Sequence, residues 1–246
     1  MRSAGVLWVT VLALPALAVL FALGTWQMQR KAWKDGLQAQ IDARAGAPAR
    51  PLDEVLAESA KGSDIAYARV KLSGRFKHEA VQFYYAPSSQ PGGLGWHAYT
   101  PMQLDDGRWV IVNRGVVPDR LRERQTWRNW QGPAQSGVVG LLRRPGEAGW
   151  FTPENRPDKN VWYWRDVDGM AAAALGQQRQ RVLPYFVDAV PGSVEAGGFP
   201  QAGTTNTKLV NRHLEYALTW YGLALTLIGV WAAFVWSRVN GQPTRV

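Results

Sequence analysis

Asn211-Arg212-His213-Leu214-Glu215-Tyr216-Ala217-Leu218-Thr219-Trp220 opens the second of two long apolar stretches, and its reading decides the fold. Beyond Glu215 the run from Tyr216 to Trp236 carries no charged residue. A bilayer core takes roughly 20 apolar residues to cross, so the run is long enough to span one. One histidine, His213, then stands at the edge of the span. Ionisable groups at that depth are costly enough to be functional candidates by default.

At the other end, Val6 to Leu23 is also uncharged and is preceded only by Arg2. It would span about 27 Å as a helix, close to the hydrocarbon thickness. A cleaved signal peptide competes, with Arg2 as its charged region and Ala16-Leu17-Ala18 as its cleavage site. The apolar run continues past that site to Leu23, then meets Trp26, Arg30 and Lys31. That is the interfacial pattern of a retained transmembrane helix, which is the reading taken here. A neighbouring helix would tolerate a kink at Pro15. Trp26, Arg30 and Trp33 fall at i, i+4 and i+7 and share one face. They form either an anchor at the headgroups or a surface that meets the start of the second span.

Between these stretches, residues 35–207 hold the polar part of the chain, leaving 1–34 and 208–246 as membrane segments. Ala45 to Pro51 reads as a linker, and Pro51-Leu52-Asp53-Glu54 as a helix start. Strand patterns follow at 67–76, at 81–85 ending on Ala86-Pro87, and beyond the Pro91-Gly92-Gly93 loop at 95–101. Asp105-Asp106-Gly107 marks a turn before a strand at 108–113. Asn113-Arg114-Gly115-Val116-Val117-Pro118 reads as the turn ending that strand. Further strands are expected at 136–142, 161–164 and 182–188, and a short Ala-rich helix at 167–175. The fold class is a membrane protein in which two transmembrane α-helices flank a mostly antiparallel α+β domain, a sheet or partly closed barrel.

The 246 residues contain no cysteine, which excludes disulfides, thiolate nucleophiles and Cys-based metal sites. The net charge of +9 is scattered. It suits anionic headgroups or a small anionic ligand better than nucleic acid. Arg120, Arg122, Arg124 and Arg128, with Trp127 and Trp130, read as a solvated helix face or an anion-binding surface. No GxSxG elbow, HExxH or P-loop occurs, and His78, His97 and His213 are too far apart for a local metal motif. An enzyme is not expected.

Four blocks resemble the surfeit-locus protein 1 family in its bacterial form: Gly24-Thr25-Trp26-Gln27 with Arg30, Gly74-Arg75-Phe76, Asn113 to Pro118, and Asn211 to Trp220. Val116 departs from the aromatic residue often found there. The resemblance implies an assembly factor for haem-copper cytochrome c oxidase, a chaperone of respiratory-chain biogenesis. Its partners would be the oxidase catalytic subunit, haem a synthase and the lipid bilayer. The expected location is the bacterial inner membrane, with both termini cytoplasmic and the central domain periplasmic. Charge flanking the spans does not choose that orientation, since Arg2 opposes Arg30, Lys31 and Lys34, and Lys208 and Arg212 oppose Arg238 and Arg245. The resemblance further implies haem a as cofactor, with His213 as its iron ligand. Tyr216, Ala217 and Trp220 share the His213 face at i+3, i+4 and i+7, Ala217 leaving room for a porphyrin edge and Trp220 packing on it. Trp26 completes that set, and Arg30 and Arg212 are candidates for the propionates. A scaffold that holds an immature oxidase subunit without binding haem is the competing reading.

Overall fold

The structure, a computed structural model, describes residues 2–90, 93–119, 122, 135–192 and 199–240. Arg120, Arg124, Arg128, Trp127 and Trp130 lie outside those residues, as do Pro91, Gly92 and Arg245. The chain divides into two compact units, 1–40 with 208–246, and 41–207.

The first unit is helical. Helix α1 runs over Arg2–Gly46, its final residues belonging to the second unit, and a C-terminal helix covers His213–Asn240. Both are long and apolar enough to cross a membrane. At 1.5 Å per residue, the 45 residues of α1 extend about 67 Å, more than twice a hydrocarbon core. The helix therefore continues well past Lys34, to the Ala45–Pro51 linker. Pro15 lies inside it, in the uncharged stretch.

The second unit is built on strands β1 (Arg50–Pro51), β2 (Arg69–Phe76), β3 (Gln82–Gln90), β4 (Gly93–Leu104), β5 (Trp109–Pro118), β6 (Gln135–Arg143) and β7 (Val182–Ala189), with helices α2 (Leu52–Ala60) and α3 (Val167–Leu175). Strands β2, β6, β7, β5 and β4 pair in that order, and β4 pairs again with β2, so five strands close into a barrel. Its pairings are antiparallel except β5 with β7. Closure happens at Gly74, which pairs with Ser136 on one side and Leu104 on the other. A Cβ there would lie 2.1 Å from the Gln103 carbonyl oxygen, so the crossing of β2 from one neighbour to the next needs a glycine.

Val110 and Val112 of β5 join Val70, Leu72, Met102, Leu142 and Val187 in one core, which Leu52 and Val55 of α2 complete. Ile111, on the opposite face of β5, packs with Tyr99, Phe186, Trp162 and Met170 of α3. β5 is thus buried on both sides, and each such aliphatic residue contributes about 1.5–3 kcal/mol. Helix α3 begins at Asp166, whose carboxylate accepts from Gly169 N at 2.9 Å, a cap worth about 1 kcal/mol.

Three expectations change. β3 does not stop at Ala86-Pro87 but reaches Gln90, because as an edge strand it tolerates a proline and an irregular register there. Val161–Trp164 makes only isolated bridges, to Tyr84 and Arg156, and is no strand. Asn113 to Pro118 is not a turn: β5 runs straight through it. Gly115 has φ +121°, and a Cβ would fall 2.0 Å from the Gln201 carbonyl oxygen. That close approach lets Val116 and Gln201 exchange both backbone hydrogen bonds, at 3.0 and 2.9 Å. Beside it Asn113 Nδ2 donates to Asp188, Asn113 Oδ1 accepts from Gly115 N, and Thr205 Oγ1 donates to Asp188. The block pins the segment that follows β7 to the barrel wall.

Candidate functional site

The C-terminal helix, α4 (His213–Asn240), packs on α1 within the helical unit. Shielded positions on α1 include Thr10, Ala13, Leu17, Leu20, Gly24, Gln27, Lys31, Lys34 and Gln38; on α4 they include His213, Ala217, Trp220, Ala224, Leu227, Trp231 and Phe234. Both sets alternate steps of three and four, the spacing of a coiled-coil seam. The helices are antiparallel: Trp231 Nε1 donates to Thr10 Oγ1 at 3.0 Å, Thr25 Oγ1 lies 3.2 Å from the Tyr221 hydroxyl, and Asn211 Nδ2 donates to Asp35 Oδ1 at 2.8 Å. Tyr221 fills the space over Gly24, where a Cβ would come within 2.6 Å of its ring.

His213 sits half-buried in this seam, in the first turn of α4. Its Nδ1 lies 2.6 Å from Gln27 Oε1 on α1. Its backbone N–H donates to Asn211 Oδ1 at 3.4 Å, and Asn211 is itself bonded to Asp35. A neutral imidazole that donates through Nδ1 keeps a lone pair on Nε2, the state in which histidine ligates a metal.

The other expected site residues divide into two groups. Ala217 is fully buried in the seam. Arg212 and Tyr216 lie along one flank of α4, Arg212 paired with Glu215 at 3.0 Å and Tyr216 half exposed, while Trp220 stands in the seam. Trp26 and Arg30 are exposed on α1, and no hydrogen bond or ion pair joins either to His213 among the described residues. The Arg30 guanidinium instead stacks on Trp33 at 4.3 Å. Yet at 100° per residue, with the helices antiparallel and right-handed, Trp26 and Arg30 project to the same flank of the pair as Arg212 and Tyr216. Two guanidinium groups, Arg30 and Arg212, and two aromatic rings, Trp26 and Tyr216, thus border the helix pair beside the first turn of α4. Gly24 and Gln27 stood in a family block but were not read as site residues, and Tyr221 was not read at all. The signal that finds them is the three–four spacing running through both apolar stretches.

In the barrel unit, the second and third blocks meet. Arg114 Nη1 donates to His78 Nδ1 at 3.1 Å, and its guanidinium stacks on Phe76 at 4.9 Å. Burial, then the Arg114 charge, pushes the His78 pKa below 6.5; burial likewise pushes His97 down. Arg122 stacks on Trp96 at 4.1 Å and donates to the Lys159 carbonyl, so it supports the fold locally.

A barrel domain carried by an antiparallel pair of membrane helices defines the class: a two-span membrane protein with its polar domain inserted between the spans. The model of the SURF1 family matches residues 14–225. Surfeit locus protein 1 of Rattus norvegicus is 34% identical over 236 residues, covering 90% of this chain and 73% of that protein. The Homo sapiens protein of that name is 33% identical over 240 residues, covering 91% and 75%; a SURF1-like protein of Monosiga brevicollis is 31% identical over 245, covering 94% and 87%. The chain belongs to the SURF1 family.

Proposed function

We propose that this protein is an assembly factor for haem-copper cytochrome c oxidase that binds haem a in the membrane and assists its insertion into the catalytic subunit. The observation that carries the reading is His213, in the first turn of the second apolar helix with Nδ1 engaged by Gln27 and Trp220 further along the seam, beside a flank bordered by Trp26, Arg30, Arg212 and Tyr216. The donor set fits the group. A neutral imidazole suits the iron, aromatic rings suit the macrocycle, and Arg30 and Arg212 suit its propionates. The Arg212–Glu215 pair is open to solvent and screened by it, so it yields readily to a stronger anionic partner. Bound haem a would supply the iron cargo that is handed on; this chain's residues hold it, orient it and release it. The protein acts as a chaperone rather than an enzyme. We place it in a bacterial inner membrane with both termini cytoplasmic and the barrel periplasmic, alongside haem a synthase and the nascent oxidase subunit.

A second reading, a scaffold that holds the oxidase subunit without haem, draws support from Trp150 and Phe151. Both are fully exposed in a turn tied by the Gly149 and Thr152 hydrogen bonds. Oxidase assembly in cells separates the two. With His213→Ala at normal abundance, membranes should lose haem-a-loaded oxidase; unchanged oxidase there, with loss on replacing Trp150 and Phe151 by Ser, would favour the scaffold.

A further inference from the structure

Gln27 occupies a seam position, where a polar side chain can join two membrane helices by a hydrogen bond across them. A polar residue at such a place often serves only to set helix register. Here its amide oxygen lies 2.6 Å from His213 Nδ1, while Gly24, one turn earlier, brings the helices together. One turn later Lys31 pairs with Asp35 at 2.6 Å, and Asp35 holds Asn211 ahead of the histidine. The first turn of α4 is thereby fixed against α1 on either side of the ring. An amide oxygen accepts, so Nδ1 is the nitrogen that donates. A neutral imidazole has one N–H, and the hydrogen bond at one nitrogen decides what the other offers.

We propose that Gln27 is a positioning residue: it holds His213 as the Nδ1–H tautomer and so selects Nε2 as the nitrogen presented to iron. The identity of the iron group rests on the haem-binding reading; the tautomer does not. Register-setting alone would need a polar contact between the helices but no particular tautomer.

The test uses the full-length, haem-free protein in detergent, with nitrogen-15 in its three histidines and the His213 signals assigned by their loss in His213→Ala. At about pH 8, above the ordinary histidine range, wild type should show Nδ1 protonated and Nε2 bare. Gln27→Leu should lose that preference, and Gln27→Glu, which keeps an acceptor, should retain it. If the leucine variant does not fold, Gln27→Met removes the amide at similar length. Nε2–H in the wild type, or an unchanged tautomer in the variants without an acceptor, overturns the proposal. In a separate arm, haem retention should fall about 10–100-fold in Gln27→Leu and recover in Gln27→Glu, as for loss and restoration of an outer-shell partner. A wild type with the stated tautomer that binds no haem would sink the haem reading and leave the role of Gln27 intact.

Discussion

His78 accepts a hydrogen bond from Arg114 through Nδ1, so its ring is neutral, and protonating it would place a second cation against a guanidinium. Burial disfavours the charged ring of His97 as well. Both folded pKa values lie below the ordinary 6.5. The unfolded chain therefore binds more protons as pH falls through 6.5, and stability drops from there until the folded values are passed. Thermal unfolding in detergent should occur at lower temperature at pH 5.5 than at 7.5, with a smaller difference in His78→Gln; equal midpoints at the two pH values would refute this. Gly115 gives a sharper test at the same scale. With φ at +121° and the Gln201 carbonyl in the place of a side chain, Gly115→Ala should cost more than about 2 kcal/mol, measured by denaturant unfolding.

Among elements, the two membrane helices depend on close approach at Gly24. Gly24→Val should separate them, whereas Gly36→Val, at a position where an added Cβ would meet nothing within 4 Å, should not. Because the chain has no cysteine, Cys residues placed at Thr10 and Trp231 report the pairing through a short bifunctional thiol reagent. Crosslinking in membranes should fall in Gly24→Val and persist in Gly36→Val; equal yields would show that Gly24 does not set the approach. Both spans were legible in the sequence because an uncharged run of that length has few other uses. Helix α3 was legible too, through its alanines. Barrel closure was not, since it rests on β2 pairing with β6 and β4, far apart along the chain. Asn113 to Pro118 resembles a turn because Gly115 and Pro118 carry turn chemistry; only the position of Gln201 explains a positive φ inside a strand.

Over the whole molecule, the blocks that carry the family resemblance divide their labour. Gly74 closes the barrel, Asn113 and Gly115 fasten the segment after β7, and Gly24 joins the helices; these are tasks of architecture. His213 with Gln27 pairs across the two helices, and the proposed haem site rests on that pair. The histidine was visible in the sequence as the one histidine beside a span. Its partner was hidden 186 residues away on the other helix. The central claim is that this helix pair holds haem a through His213. Its most direct test is the reduced-minus-oxidised spectrum of the protein purified in mild detergent from cells that make haem a. The account predicts a haem-a signal in the wild type that disappears in a folded His213→Ala, a loss beyond the roughly 10–100-fold of an outer-shell change. A wild type without that signal, or a variant that keeps it in full, would contradict the claim.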